Sequence, residues 1–323
     1  MLLSVGSELA RSIEPDFGRY RAPFQTLDVH DCPRKMTPIF MFGDSMPDQN
    51  ESLPSRPTSG QSIVIFAMAT FLLSAIFDYP IFGPHPLSDT GEIFMWLVMW
   101  CPGVVALTFI PVRRASFASL GLTRSGGRWL LWAAALPVLL YGPLYVLAVV
   151  LGHGVFTPAS LAGHGLPLFL ILLRALGRAL GEEIGWRGYL FPRLRERFSF
   201  ATSALISGVI WSVWHFAVIV QGAYQDAQKV PLALALPLFT IGLTGESFLY
   251  AWLRERSGSV WPAVVIHGVF NWFTLRVMGK VLRPDAVTPW VVGEMSMGSA
   301  ALGIAIAIAL WKGPRQARSP KCG

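Results

Sequence analysis

The sequence predicts an all-α polytopic membrane protein, with about eight transmembrane helices that enclose a polar cavity. Three observations favour this fold class. Hydrophobic residues make up 53% of the 323 residues and charged residues 14%, whereas a typical soluble protein is roughly 25% charged. The mean hydropathy is +0.50, and apolar segments of about 20 residues recur along the chain. A soluble fold of this size would lack the polar side chains to cover its surface.

Cysteine usage and net charge exclude several other classes of protein. The three cysteines, Cys32, Cys101 and Cys322, are far apart and have no ligand-like spacing, which excludes a disulfide scaffold and a cysteine-based zinc site. The net charge is +7, but the lysines and arginines occupy short loops between apolar segments instead of one patch. This distribution is typical of membrane topology, so no nucleic-acid partner is predicted.

The first 60 residues differ in composition from the rest of the chain. They contain six Lys or Arg, eight Asp or Glu and seven Pro, with no sustained apolar period. Because such a segment cannot form a packed core, we predict a disordered cytoplasmic tail over residues 1–60. A transmembrane domain over residues 61–311 and a basic cytoplasmic tail over residues 312–323 follow it.

Eight apolar segments make up the predicted transmembrane domain. Each is close to the roughly 20 residues that a helix needs to cross about 30 Å of hydrocarbon. In chain order they cover residues 61–82, 92–112, 128–152, 166–191, 200–222, 231–253, 259–279 and 289–311.

The basic residues of the loops predict the orientation of these helices. If the N-terminal tail is cytoplasmic, thirteen basic residues lie inside and three lie outside, which agrees with the positive-inside rule and places both termini in the cytoplasm. The inner set is Arg113, Arg114, Arg124, Arg128, Arg193, Arg195, Arg197, Arg254, Arg256, Lys312, Arg315, Arg318 and Lys321. The outer set is Lys229, Lys280 and Arg283.

The fourth apolar segment contains five ionisable residues, each of which costs about 2.5 to 3.5 kcal/mol or more to insert into lipid. Arg174, Arg178 and Glu182 follow one another at four-residue spacing and share one face of a helix. Glu183 and Arg187 are also four residues apart, on a neighbouring face, where they can form an ion pair. Such residues inside a membrane indicate a functional site.

Two further apolar segments contain polar residues at a similar depth. The fifth contains His215, and the seventh contains His267 and Asn271, which are one helical turn apart on the same face. Counted from the predicted cytoplasmic ends, Glu182, His215 and His267 lie at depths of roughly 12 to 22 Å. We therefore expect three helices to bring a carboxylate, two imidazoles and a carboxamide into one cavity inside the membrane.

Two versions of a hydrolytic site are compatible with these residues. In the first, Glu182 is the general base for a water molecule that His215 also holds, while His267 and Asn271 stabilise the oxyanion. In the second, Glu182, His215 and His267 bind a divalent ion such as Zn²⁺ and leave one position open for water. The sequence does not choose between the metal-free and the metal-dependent version.

Non-catalytic interpretations also fit some of these residues. The pairs Arg178 with Glu182 and Glu183 with Arg187 could hold helices together, and a single His could be a structural hydrogen-bonding residue. Chains of Glu and His also carry protons or ions in transporters. Glu246, a second intramembrane carboxylate, is interpreted as paired with another helix.

Three motifs in order resemble the signature of the CAAX protease and bacteriocin-processing (CPBP, or Abi) family of intramembrane metalloproteases, which includes the Ras-converting type of CAAX prenyl protease. They are Glu182-Glu183-x-x-x-Arg187, an aromatic residue four before His215, and His267-x-x-x-Asn271. The resemblance covers about residues 166–275. Where the family usually has Phe at the start of the second motif, this sequence has Trp211.

The resemblance implies roles for individual residues. Glu182 would activate water together with His215, while His267 and Asn271 would stabilise the oxyanion. Glu183 and Arg187 would be supporting residues that fix the catalytic helix.

The function predicted on this basis is that of an endopeptidase in a bacterial plasma membrane. It would hydrolyse a peptide bond of a membrane-associated substrate of the CAAX or bacteriocin type, and its partners would be membrane lipid and a peptide or lipidated protein. The alternatives are a non-proteolytic immunity or scaffold protein that keeps the pocket, and a proton-coupled carrier.

Overall fold

A computed structural model describes residues 59–82, 91–113, 116–222 and 229–314 of the chain. The described part is built almost entirely of helices, which confirms the predicted all-α membrane fold. Apart from the residues at 59, 60 and 312–314, the predicted tails over residues 1–60 and 312–323 lie outside it. Ser59 and Gly60 already belong to the first helix.

The helices follow the predicted segments closely. They are α1 (Ser59–Phe82), α2 (Gly91–Arg113), α3 (Trp129–Val150), α4 (Gly165–Glu183), α5 (Phe191–Arg195), α6 (Phe200–Val220), α7 (Leu232–Ser257), α8 (Trp261–Asn271), α9 (Gly279–Val281), α10 (Thr288–Val291) and α11 (Met297–Leu310). A short 3₁₀ helix covers Pro158–Leu161, and π-helical segments cover Ile184–Leu190 and Trp272–Met278. Two-residue strands β1 (Val155–Phe156) and β2 (Leu282–Arg283) pair antiparallel.

The surface of the helical bundle is apolar, as a lipid environment requires. Leu131, Val150 and Ile308 are 70% or more exposed although they lie on helices. Soluble monomers do not expose continuous apolar surfaces of this kind. Within the described residues, five helices are long and apolar enough to cross a membrane, namely α1, α2, α3, α6 and α7.

The prediction of one continuous eighth helix over residues 289–311 is wrong. Helix α10 ends at Val291, Val292 is extended, and Gly293 has a φ of +133° that side chains rarely adopt. Helix α11 begins only at Met297, where the Ser296 side chain accepts a hydrogen bond from the Ser299 N–H. The glycine and the serine cap therefore divide the segment and shorten the last helix to 14 residues.

The loops at one end of the bundle are tied together by polar contacts. Strands β1 and β2 pair there, and His153 Nδ1 lies 3.0 Å from Asp285 Oδ2. The hydrogen bond with His153, followed by that from the Thr288 backbone N–H, holds the pKa of the exposed Asp285 carboxyl below its usual range. These contacts fix the segment that carries β2 and α10 beside the connection after α3.

Small residues bring the helices of the bundle into close contact. A Cβ atom added to Gly245 on α7 would overlap the backbone of Gly303 on α11. A Cβ atom added to Gly181 on α4 would lie 2.9 Å from the Trp100 Cα on α2. Close backbone approach at small residues is the usual basis of helix association in membranes. These contacts seat α4 and α7, which both carry functional candidates, against their neighbours.

Replacing Gly245 with Ala should lower the free energy of unfolding by about 1 to 3 kcal/mol, because the new methyl group overlaps a backbone that cannot rotate away. Thermal or denaturant unfolding in one detergent measures the change. Gly142→Ala is the matched control, since a Cβ atom there meets nothing within 4 Å on helix α3. Equal stability of the two variants would contradict the close α7–α11 contact.

Candidate active site

Helix α4 ends in the two glutamates of the first motif, and its backbone changes to a π-helix directly after them. Glu182 and Glu183 are the last residues of α4, with 2% and 0% exposure, and the π-helical segment begins at Ile184. The second π-helical segment likewise begins directly after Asn271. The two π-helical segments therefore directly follow the glutamates of the first motif and the asparagine of the third. Such turns occur frequently at functional sites. The hydrophobic pattern of the sequence contains no signal for them.

Glu182 contacts helix α6 through one carboxylate oxygen and faces helix α8 with the other. The Trp211 indole N–H donates to Oε2 at 2.8 Å. Oε1 lies 3.9 Å from His267 Nε2, which is longer than a hydrogen bond. Glu182 therefore points into the interior of the bundle, with one oxygen fixed and the other turned toward an imidazole.

Glu183 links Arg187 to His267 through a single oxygen. Arg187 Nη1 and His267 Nδ1 each lie 3.0 Å from Glu183 Oε1. Since a carboxylate only accepts hydrogen bonds, the proton of a neutral His267 ring is on Nδ1, and Nε2 is an acceptor turned toward Glu182. The predicted ion pair of Glu183 and Arg187 is present, but its contact with His267 was not predicted.

Arg187 is completely buried between two aromatic rings. Its guanidinium carbon lies 4.2 Å from the centre of the Trp211 ring and 4.9 Å from the centre of the Tyr250 ring. Desolvated contacts of this kind contribute about 2 kcal/mol or more. Helices α6 and α7 thus hold the arginine in place, and the arginine holds Glu183.

His215 is buried in an aromatic environment on helix α6. Its Nδ1 donates to the Trp211 carbonyl oxygen at 2.9 Å, so Nε2 is the acceptor nitrogen of the neutral ring. The centres of the Trp214 and Phe239 rings lie 4.8 and 5.5 Å from the centre of its own ring. These contacts fix the orientation of the imidazole.

All four predicted catalytic residues line one cavity of about 330 Å³. They are Glu182, His215, His267 and Asn271. The cavity continues past them toward the loops at residues 276–294, and its walls include Arg178, whose guanidinium lies over the Trp96 ring at 5.5 Å. The arrangement can hold a polar reactant against a carboxylate and two imidazole nitrogens.

Glu246 also lines this cavity. Tyr141 donates to its Oε1 at 2.6 Å, and Tyr250 donates to its Oε2 at 3.0 Å. The expected partner on another helix is therefore Tyr141 of α3. The i, i+4 spacing of Glu246 and Tyr250 is the signal in the sequence for one partner, whereas nothing in the spacing indicates Tyr141 on α3.

The metal-dependent version of the site would hold Zn²⁺ through Glu182, His215 and His267. In the parts of the chain that the structure describes, no three His, Cys, Asp or Glu side chains are grouped so that they could share a metal ion. Glu182, His215 and His267 line the same cavity, and each imidazole keeps Nε2 as an acceptor. Zn²⁺ binding stays a prediction that a measurement of metal content would test.

Comparison with known proteins connects this geometry to one family. Residues 164–273 match the family described as type II CAAX prenyl endopeptidase, Rce1-like. The chain is also 46% identical over 108 residues to a protein named CAAX prenyl protease 2 from Methanococcus maripaludis. That similarity covers 32% of this chain and 38% of the length of the relative. All seven residues of the three motifs, Trp211 included, lie within the matched residues 164–273.

Proposed function

We propose that this chain, whose residues 164–273 match the Rce1-like family of CAAX prenyl endopeptidases, hydrolyses a peptide bond of a membrane-associated substrate. The observation that carries the proposal is the pair Glu182 and His267, with Oε1 and Nε2 3.9 Å apart at the wall of a buried cavity. A water oxygen can lie within hydrogen-bond distance of both atoms at this separation. In this proposal the peptide binds in the same cavity.

Glu182 is the general base in this mechanism. Its Oε2 accepts the Trp211 indole N–H, so Oε1 is the oxygen that takes a proton from water. The water oxygen forms a bond to the carbonyl carbon of the substrate as its proton moves to Oε1. When the carbon–nitrogen bond breaks, the same proton passes from Oε1 to the leaving amine. One water molecule is consumed, and Glu182 returns to its starting state.

The remaining residues orient the water and stabilise the oxyanion. The attacking water donates one hydrogen to Glu182 Oε1 and the other to His267 Nε2, while His215 lines the same cavity from α6. The Asn271 carboxamide, one turn after His267 on α8, donates to the oxyanion that forms on the carbonyl oxygen.

Cleavage by the full chain in lipid vesicles tests the proposal. A reporter peptide with a C-terminal lipidated cysteine motif is compared with the same peptide without the lipid, and the products are identified by mass spectrometry. Hydrolysis in H₂¹⁸O should place ¹⁸O in the new carboxyl group. A parallel reaction with a chelator, followed by metal addition, tests the Zn²⁺ alternative. Folded protein that cleaves no reporter but moves protons across the vesicle would contradict the peptidase proposal.

Replacing Trp211 with Phe should lower the cleavage rate about tenfold. Phe keeps the aromatic ring that is usual at this position in the family but has no donor for Glu182 Oε2. A hydrogen bond to a charged group contributes about 1.5 to 3 kcal/mol, and only part of this is expected to affect the rate. Initial rates with the reporter peptide measure the effect.

Trp261→Phe is the matched control for this substitution. Trp261 lies on α8, and its indole N–H donates to the Leu122 carbonyl oxygen at 3.1 Å and not to Glu182. We expect its cleavage rate to stay within about twofold of the wild-type rate. If both variants lost the same activity, the Trp211 hydrogen bond would not explain the loss.

A further inference from the structure

A buried carboxylate in the cavity has no role in the proposed water activation. Glu246 is 6% exposed and lies on α7, which carries none of the three motifs. Burying such a group requires hydrogen-bond partners, and here two tyrosine hydroxyls supply one donor to each oxygen. The contacts of the second tyrosine, Tyr250, connect Glu246 to the proposed catalytic residues.

Tyr250 contacts two residues of the site with its ring. The ring centre lies 4.9 Å from the Arg187 guanidinium carbon and 6.0 Å from the centre of the His267 ring. Its hydroxyl is one turn from Glu246 on the same helix and donates to Oε2 at 3.0 Å. The position of this ring therefore depends on the carboxylate, while Arg187 and His267 are packed against the ring.

Arg187 and His267 meet again at Glu183. Both donate to Glu183 Oε1 at 3.0 Å. A shift of the Tyr250 ring would thus move the arginine and the imidazole together, and with them the Nε2 atom that faces Glu182. Misplacement of a reacting group by about 1 Å can cost roughly a hundredfold in rate.

We infer that Glu246 is a positioning residue for the reaction, which acts through Tyr250 to hold Arg187 and His267 in place; this inference rests on the proposed peptidase function. A carboxylate suits the role because it offers two acceptor oxygens to two hydroxyl donors. A side chain without acceptors, such as Leu, would leave both hydroxyls without this partner. Glu246 is then a third glutamate of the site, and it does not contact the reacting atoms.

Two variants weaken this connection, and a third is the matched control. Glu246→Leu removes both acceptors, and Tyr250→Phe removes the hydroxyl but keeps the ring and the carboxylate. Tyr141→Phe removes the other hydrogen bond to the same carboxylate, at 2.6 Å. The Tyr141 ring packs on Phe270, and no ring contact links it to Arg187 or His267 among the described residues.

Kinetics with the reporter peptide should separate positioning from a general loss of folding. We expect Glu246→Leu and Tyr250→Phe to lower kcat by about ten- to a hundredfold with KM within about twofold, and Tyr141→Phe to keep both constants within about twofold. Equal kcat values for all three variants and the wild type would overturn the inference. A fall in kcat as large for Tyr141→Phe as for Tyr250→Phe would overturn it as well.

A measurement that needs no activity distinguishes failure of this inference from failure of the proposed function. In protein labelled with ¹⁵N-histidine, the ring nitrogens of His267 are assigned by their loss in His267→Gln. Glu246→Leu and Tyr250→Phe should shift these signals, and Tyr141→Phe should leave them unchanged. Unshifted His267 signals in the first two variants would overturn the positioning role even if the wild type cleaves its substrate. Shifted signals without any cleavage would support the connection and reject the peptidase.

Discussion

Replacing Glu182 with Gln should lower the rate of peptide hydrolysis by about 10²- to 10⁴-fold, which is the usual contribution of general acid–base catalysis. Gln has nearly the same shape, and its carbonyl oxygen can still accept the Trp211 indole N–H that Glu182 Oε2 accepts at 2.8 Å. It cannot take a proton from water, so the substitution removes the chemistry and keeps the packing. Initial rates with the reporter peptide in vesicles measure the loss.

Glu196→Gln is the matched control for this loss. Glu196 forms an exposed ion pair with Arg193, after helix α5 and outside the cavity. Exposed pairs contribute little to stability, so its cleavage rate should stay within about twofold of the wild-type rate. If folded Glu182→Gln protein kept a tenth or more of the wild-type rate, another group would have to be the general base.

Part of this site could be predicted from the spacing of polar residues along their helices and from their depth in the predicted membrane. Glu182, His215 and His267 lie on three different apolar segments at similar distances from their predicted ends, and all three line one cavity in the structure. The i, i+4 spacing of Glu183 and Arg187 is enough to predict their ion pair, since such residues lie one above the other on a helix. These features are local, because the position of a residue along a helix and its i, i+4 neighbours can be read from the sequence.

Contacts between helices could not be predicted in the same way. The bond between Glu183 and His267 depends on how α8 is rotated against α4, and the Trp211 bond to Glu182 depends on a side-chain rotamer. The spacing of hydrophobic residues predicts neither the rotation of α8 against α4 nor the rotamer of Trp211. The division of the eighth segment at Gly293 was missed for a related reason, because a single glycine inside an apolar run also occurs in continuous membrane helices.

Replacing Arg187 with Met should lower the free energy of unfolding by about 3 to 5 kcal/mol, the largest loss of stability that the structure predicts. Arg187 and Glu183 are both fully buried, and their side chains pair at 3.0 Å. Met fills much of the space between the Trp211 and Tyr250 rings but leaves the buried Glu183 carboxylate without its cation. Unfolding in a fixed detergent, followed by tryptophan fluorescence, measures the change.

Two further variants identify the cause of that loss. The double substitution Glu183→Gln with Arg187→Met removes the unpaired charge together with the arginine, so it should be more stable than Arg187→Met alone. Arg193→Met, which removes an arginine from an exposed pair, should change the free energy of unfolding by less than about 1 kcal/mol. A double variant as unstable as the sum of its single substitutions would mean that packing, and not the buried charge, accounts for the role of Arg187. In that case Glu183 would be held mainly by His267, which donates to the same oxygen at 3.0 Å.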